Sequence, residues 1–462
     1  MKYLLMSGLM LSSAACSLVP PLERPAAPLP ARYDAAVVEA GTGADLGWRE
    51  MFTDARLRRL IELSLANNRD LRIAALNVEA VRAQFDIAGA ARLPSVSADG
   101  GMTRQRVPAD AGGAAIGVQE QKTARIGLSA FEIDLFGRVR AQSEAAFARH
   151  LASEQGRRAA QISLVAAVAD AYFAGLLASQ QLTLTDSTLQ DWRSSLKIAR
   201  LLNEARQNSG LDVAQAEGQV ATVEADLEAR RRSLAQARNA LELLVGAAVP
   251  DGLADAVPLE MQALPTALPA GLPSDLLTRR PDILQAEQAL VASNADIGAA
   301  RAAFFPQISL TASLGFASPS MGSLFSGAQR AWSFSPQITQ PLFQGGRLRA
   351  ELDLAKLRNS VAVADYERVI QIAFREVADG LAARDTYGNQ IAAQLRTVAS
   401  AERVRGLSDL RYRAGQEGRL QLLDAQRTAY AARQALLELR RDEFRATTAL
   451  YKALGGGYQP LN

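Results

Sequence analysis

Leu420, Asp424 and Arg427 stand at the spacing i, i+4, i+7 in "RLQLLDAQR" (419–427). On a helix that spacing lines them up as one stripe, so a charged pair runs in register with a large apolar residue. A buried stripe would be apolar throughout, and a solvated one would not carry the leucine. As a surface ion pair alone, Asp424 and Arg427 would contribute only about 0.3 kcal/mol. Just upstream, Gly415 and Gly418 interrupt a long helical pattern, so the stripe begins at a turn. Other residues with chemical potential are sparse. Glu132 and Asp134 alternate at the end of an apolar–polar run, a spacing that suits a polar pore lining, and no nucleophile or metal cluster accompanies them. His150 reads as a surface or packing residue with no acidic or cysteine partner. One histidine and one cysteine exclude a zinc site, a disulfide and a histidine-dependent triad. No Walker-type glycine loop exists, so nothing in the chain points to nucleotide hydrolysis. These residues do not describe an enzyme.

The 462 residues suffice for several domains on length alone. Net charge is only +3, from 51 basic and 48 acidic residues, which gives no nucleic-acid footprint. Abundant Ala, Leu, Arg, Gln and Glu favour helix over most of the chain. The opening "MKYLLMSGLMLSSAAC" combines Lys2, a short apolar run and small residues ending at Cys16. That reads as a signal peptide over residues 1–15 rather than a membrane span, which needs about 20 apolar residues. The lone cysteine after Ser13, Ala14 and Ala15 resembles a bacterial lipobox, with Ser13 where a leucine is usual. The resemblance implies that Cys16 becomes the first mature residue and carries N-palmitoyl and S-diacylglycerol groups. Ser17 after it implies sorting to the outer membrane. No other stretch reads as a transmembrane helix, and no cofactor is expected beyond the covalent lipid.

Prolines 20, 21, 25, 28 and 30 make residues 16–45 a stiff, extended tether after the anchor. A second Pro-rich stretch, 247–272, acts as a linker between two halves, 46–246 and 273–462, that match each other. Pro94 answers Pro306, "LFGRVRA" (135–141) resembles "LFQGGRLRA" (342–350), and "LDVAQAE" (211–217) resembles "LQLLDAQ" (420–426). "LLVGA" (243–247) and "YKALGGG" (451–457) close the halves, and Arg138 with Arg347, Leu211 with Leu420 and Gly246 with Gly455 share one offset (347 − 138 = 209). This is a duplication. Each half reads helix, strand, strand, long helix, turn, helix. The strands fall at about 95–104 and 123–136, then at about 307–316 and 332–343. The long helices fall at 139–205 and 347–413, and the returning helices at 211–245 and 419–454.

The strands alternate. Ile308, Leu310, Ala312, Leu314 and Phe316 share one face, with Ser309, Thr311, Ser313 and Gly315 on the other. Trp332, Phe334 and Ile338 repeat the pattern, and such alternation with aromatics near an end marks membrane-barrel strands. The phase slips between Ala130 and Phe131, which predicts a bulge or the strand's exit. Four strands cannot close a barrel, and an open edge leaves unsatisfied N–H and C=O groups in lipid. Oligomerisation follows: three copies give 3 × 4 = 12 strands, whereas two give about eight, a number whose interior side chains fill. The long helices, at about 1.5 Å per residue, could each reach about 100 Å. Packed against neighbours, they read as a tube continuing from the membrane.

"LPSDLLTRRPDILQAEQAL" (272–290), "IGAARAAFFPQISL" (297–310), "LFQGGRL" and "LYKALGGGY" (450–458) resemble the TolC-like outer membrane factors, in particular the NodT-type lipoproteins of resistance-nodulation-division (RND) efflux systems. The resemblance covers nearly the whole mature chain. It implies a mixed fold, a homotrimeric 12-strand membrane β-barrel continued by a long α-helical barrel across the periplasm. It implies a periplasmic adaptor (membrane fusion protein) and an inner-membrane RND pump as partners, besides outer membrane lipid. It also makes Leu420 an apolar constriction of a periplasmic gate and Asp424 with Arg427 its ionic latch. Ser209, Gly210, Leu211 and Asp212 at one turn, and Gly415 and Gly418 at the other, become the adaptor-docking tips. Arg206 stands where the family's first turn has glycine. The implied function is the exit duct for drugs and other small molecules; a channel for type I protein or peptide secretion is the alternative.

Overall fold

The structure, a computed structural model, describes residues 17–26, 46–107, 117–266, 268 and 273–456. The signal peptide, Cys16 and Gly457 lie outside them. The elements run α1 (Trp48–Met51), α2 (Ala55–Asn67), α3 (Arg69–Ala90), β1 (Val96–Val107), β2 (Gly117–Ile133), α4 (Arg138–Glu204) and α5 (Gly210–Val245). After the linker come α6 (Leu276–Arg279), α7 (Pro281–Ala302), β3 (Gln307–Ser318), β4 (Arg330–Thr339), α8 (Arg347–Arg413) and α9 (Arg419–Ala453). Contacts divide the chain into two units. The first holds Asn77–Glu154 and Gln285–Glu367 with the N-terminal segment; the second holds Ala27–Leu76, Gln155–Leu284 and Arg368–Asn462.

The first unit carries one antiparallel sheet in the order β1-β2-β3-β4. β1 extends to Val107 and β2 starts at Gly117, so both reach further into the connection than alternation alone placed them. β4 stops at Thr339, short of the expected 343, because Pro341 has no N–H to give the ladder. Where the phase slips, the β2–β3 register shifts between Leu128 and Phe131. Ala130 takes φ 49° there, and its N–H donates to Thr311 Oγ1 at 3.1 Å. Glu132 and Asp134 both have partners at the start of the next helix. Glu132 pairs with Arg138, whose Nε donates to Oε1 at 3.0 Å, and Asp134 Oδ2 accepts the Arg140 N–H at 2.8 Å. Both carboxylates fasten the strand's exit to the first turn of α4, where the helix leaves backbone donors unpaired.

Within the same unit His150 does have an acidic partner, contrary to its reading as isolated. Its Nε2 lies 3.5 Å from Glu154 Oε1, one turn along α4, and its ring stacks on Phe85 with centroids 6.5 Å apart. Residues 17–26 run along α7. Asn294 Nδ2 donates to the Pro20 carbonyl at 2.8 Å, and Arg24 pairs with Glu287 at 2.8 Å. Val19 lies so close to Gly298 that a Cβ there would overlap Val19 Cγ2. Only glycine lets the tether seat on that helix.

The second unit is helical. Asp54 caps α2 by accepting the Arg56 and Leu57 N–H groups at 2.7 and 3.1 Å, and Tyr172 donates to its other oxygen at 2.7 Å. Met51, Phe52, Leu57, Leu60 and Ile61 are buried, as are Phe173 and Phe444, whose rings tilt together at 5.1 Å. An 18-residue stretch of α4 is apolar enough to cross a membrane by composition, although the sequence reading places no such span there. Here 56% of that stretch is buried inside the protein, so its apolarity serves helix packing. Arg280 is buried at the entrance to α7, paired with Asp282 and with Glu376 of α8 at 2.6 and 2.8 Å, and donates to the Ala453 carbonyl at 2.9 Å. It closes the second half on itself.

Candidate functional site

Both helical turns belong to the second unit. α4 ends in a Schellman arrangement: the Gln207 N–H bonds the Leu202 carbonyl at 2.8 Å and the Arg206 N–H bonds the Asn203 carbonyl at 2.9 Å. α8 ends identically, with Gln416 to Arg411 at 2.9 Å and Gly415 to Tyr412 at 3.0 Å. This geometry needs a left-handed residue, and Arg206 (φ 58°) supplies it at one turn as Gly415 (φ 69°) does at the other. The turns differ next at the helix starts. Ser209 caps α5 with Asp212 in a reciprocal box, the Asp212 N–H on Ser209 Oγ at 3.3 Å and the Ser209 N–H on Asp212 Oδ2 at 3.1 Å. Gly418, at the equivalent position of α9, has no side chain to cap with. Gly210 opens α5, and Leu211 is exposed beside it.

α9 buries Leu422, Leu423, Ala425 and Ala429 against its neighbours. Leu420, Asp424 and Arg427 stand together on the opposite, exposed side; Leu420 is 56% exposed. Arg427 Nη2 lies 3.8 Å from Asp424 Oδ1, with both side chains more than half accessible. Solvent screens such a pair, so it adds little to the helix's stability and remains available for other partners.

The sequence did not disclose Arg419. It is 3% exposed and bonds to neutral groups: Nη1 donates to Tyr412 Oη at 3.2 Å, and Nη2 to the Ser195 carbonyl and Oγ at 3.3 and 3.2 Å. Its guanidinium lies over the Tyr412 ring at 5.6 Å. The first residue of α9 is thereby tied to α4, 224 positions away. A second tie lies further along. Tyr430 of α9 donates to Asp226 of α5 and shares a 2.7 Å bond with Thr185 of α4, while Gln434 donates to Tyr430 Oη at 2.9 Å. Burial and the adjoining Asp226 carboxylate push the Tyr430 hydroxyl above its ordinary pKa. No local pattern marks these residues, because each has a partner on another helix.

Between α4 and α5, Leu189, Trp192, Leu196 and Ala199 pack on Ala216, Val220, Val223 and Leu227. Beside that seam runs an open groove of about 720 Å³, spanned by Arg193–Glu224 at 2.6 Å and Arg200–Glu217 at 2.7 Å. Among the described residues no group of three or more His, Cys, Asp or Glu side chains could hold a metal ion.

The family model for outer membrane efflux proteins matches residues 60–247 and 272–456, one match per half of the duplication. The chain is 46% identical over 451 residues to the toluene efflux pump outer membrane protein TtgC of Pseudomonas putida, covering 96% of this chain and 93% of that protein. It is 47% identical, with the same coverage, to the antibiotic efflux pump outer membrane protein ArpC of Pseudomonas putida. Among solved structures, the open state of the Neisseria gonorrhoeae MtrE outer membrane channel superposes with a TM-score of 0.88 at 38% identity, covering 96% of this chain and 98% of that one. With the alternating sheet and the paired helical turns, these likenesses agree in family, fold and placement. The chain belongs to the outer membrane efflux protein family: it is a TolC-like channel of the outer membrane, the exit duct of an efflux system.

Proposed function

We propose that the chain works as a homotrimer whose three sheets close a 12-strand barrel, and that it passes apolar and amphiphilic small molecules delivered by an inner-membrane RND pump through a periplasmic adaptor. The relatives' names, toluene and antibiotic efflux, point to that cargo. The observation that carries the reading is the exposed stripe of Leu420, Asp424 and Arg427 on the side of α9 opposite its packed face. Repeated three times about an axis, a leucine ring gates by dewetting and charged rings select and hold. The turns at Ser209–Asp212 and Gly415–Gly418 offer the adaptor its docking tips, and the groove between α4 and α5 adds a surface of both charges beside the first. Cys16 carries the lipid that holds the tether at the membrane. The chain performs no catalytic step; energy and substrate selection reside in the pump.

The deciding measurement is accumulation of a fluorescent, membrane-permeant dye in cells lacking this chain, with and without complementation. Raised accumulation that the gene restores to normal is expected. Unchanged accumulation, with the channel present in the outer membrane of the complemented strain, would overturn small-molecule efflux and turn the reading to protein or peptide export.

A further inference from the structure

The pairing register gives the sheet two chemically opposite faces. On one, Ala98 stands opposite Ile126, Ile126 opposite Leu314, and Leu314 opposite Trp332. Ile126, Leu314 and Trp332 are 60, 67 and 78% exposed, so this apolar row is the lipid side of the channel wall. The other face carries Ser97, Ser313 and Ser333 at nearby positions.

Toward the hairpin connections, away from the helices and so toward the cell exterior, the lipid face changes character. Met102 pairs with Lys122, Arg104 with Glu120, Arg106 with Val118, and Phe316 with Arg330. Four cations and one carboxylate thus stand directly beyond the apolar rows. Glu120 is held between two of them, 3.2 Å from Arg104 and 3.0 Å from Lys122. At the same height the lumen face carries Thr103, Gln105, Gln119 and Gln121, all uncharged. The lumen face's Arg125 stands opposite Asp99 in the register, nearer the helices, so at the height of Arg104, Arg106 and Lys122 positive charge lies on the lipid side alone, which simple solvation of a barrel rim does not explain. On a lipid face a cation costs about 2–4 kcal/mol at mid-depth and about 0–1 near the interface, so this cluster belongs at headgroup level.

Beneath the cations, Ala98, Gly100 and Ala124 leave a groove of about 670 Å³, walled by Leu314 and Phe325 and reached by Arg330. Phe325 is fixed edge-on against Phe316 at 5.5 Å. An apolar slot of ligand-pocket size lying under a basic rim has the polarity of a lipid: chain below, phosphate above.

We propose that this surface binds an anionic, phosphate-bearing lipid of the outer leaflet. The lipid's phosphate groups meet Arg104, Arg106 and Lys122 toward the hairpin and Arg330 nearer the groove, and one acyl chain lies in the groove over Gly100. Arginine suits this task because its planar fork meets phosphate oxygens in pairs.

The test is native mass spectrometry of the full chain, purified in detergent as its assembled oligomer and offered equal concentrations of bis-phosphorylated lipid A and phosphatidylethanolamine. The wild type is expected to retain lipid A at least tenfold better. Arg106→Gln with Arg330→Gln should lower that retention at least tenfold, and Arg106→Lys with Arg330→Lys should restore most of it. Gly100→Leu, which fills the groove without altering charge, should also lower it. Equal retention of the two lipids by the wild type would overturn the proposal, as would full retention by an assembled double-glutamine variant.

Discussion

Arg206 and Gly415 occupy the same position of the two duplicated turns, 209 residues apart (415 − 206 = 209), and both adopt the left-handed backbone, at φ 58° and 69°. One turn meets that requirement with the residue that needs no accommodation, the other with a side chain that does. A left-handed non-glycine residue costs roughly 1–2 kcal/mol. Arg206→Gly should therefore stabilise the first turn by about 1 kcal/mol, and Gly415→Ala should destabilise the second by a similar amount. Thermal melting of the purified assembly, followed by circular dichroism, checks both signs.

Arg419 is a buried cation at the turn that opens α9, and its bonds to Ser195 and Tyr412 join α9 to α4 and α8. Arg419→Met keeps much of the packed stem but removes the donors. Losing hydrogen bonds to a buried charged group costs about 1.5–3 kcal/mol, felt locally. Amide exchange over residues 419–427 should accelerate at least tenfold while that of α2 stays unchanged. Equal protection in variant and wild type would show that the tie does not hold the turn.

Asp424→Ala with Arg427→Ala tests the latch. The 3.8 Å pair is exposed, so its removal should leave the fold's melting temperature within about a degree or two. In the proposed gate these charges act across the aperture rather than within the helix, so single-channel conductance in planar bilayers should rise. Unaltered conductance would remove them from the gate.

Asp170 of α4 is pushed up to about 6 by burial, against the pull of Arg445, Arg441 and Lys452, and its Oδ1 is buried without a hydrogen-bond partner among the described residues. Its folded pKa lies above the unfolded value of about 3.9, so the folded state binds the proton more tightly. That contribution is present in full below about pH 4 and is lost as pH rises through about 6. Asp170→Asn should consequently stabilise the fold at pH 7.5 by about 2 kcal/mol and leave it nearly unchanged at pH 4. Melting temperatures of variant and wild type at the two pH values check both the sign and the window.

Cys16→Ala should abolish incorporation of radioactive palmitate into the chain. Persistent labelling would place the anchor elsewhere.

Periodicity alone set much of what the chain became. The two long helices are legible because sixty-odd residues without proline, with apolar side chains every three or four positions, leave no other regular conformation. Strand pairs are legible from strict alternation, and the duplication from repeated words at one offset. The stripe of Leu420, Asp424 and Arg427 needs only helical geometry. Strand ends were less visible, because the N–H and C=O ladder of β1 and β2 extends through Arg104–Gln105 and Gln119–Glu120, where apolar alternation has stopped but pairing has not. Tertiary structure alone decided the rest. Nothing local links Arg419 to Ser195, Tyr430 to Asp226 or Val19 to Gly298, since each contact joins segments over two hundred residues apart. The roles of Glu132 and Asp134 were equally hidden: alternation describes which face a carboxylate takes, whereas its partner, here the start of α4, depends on where the chain turns next. Local spacing dictates conformation and faces; which faces meet is set by packing, and packing is a property of the folded whole.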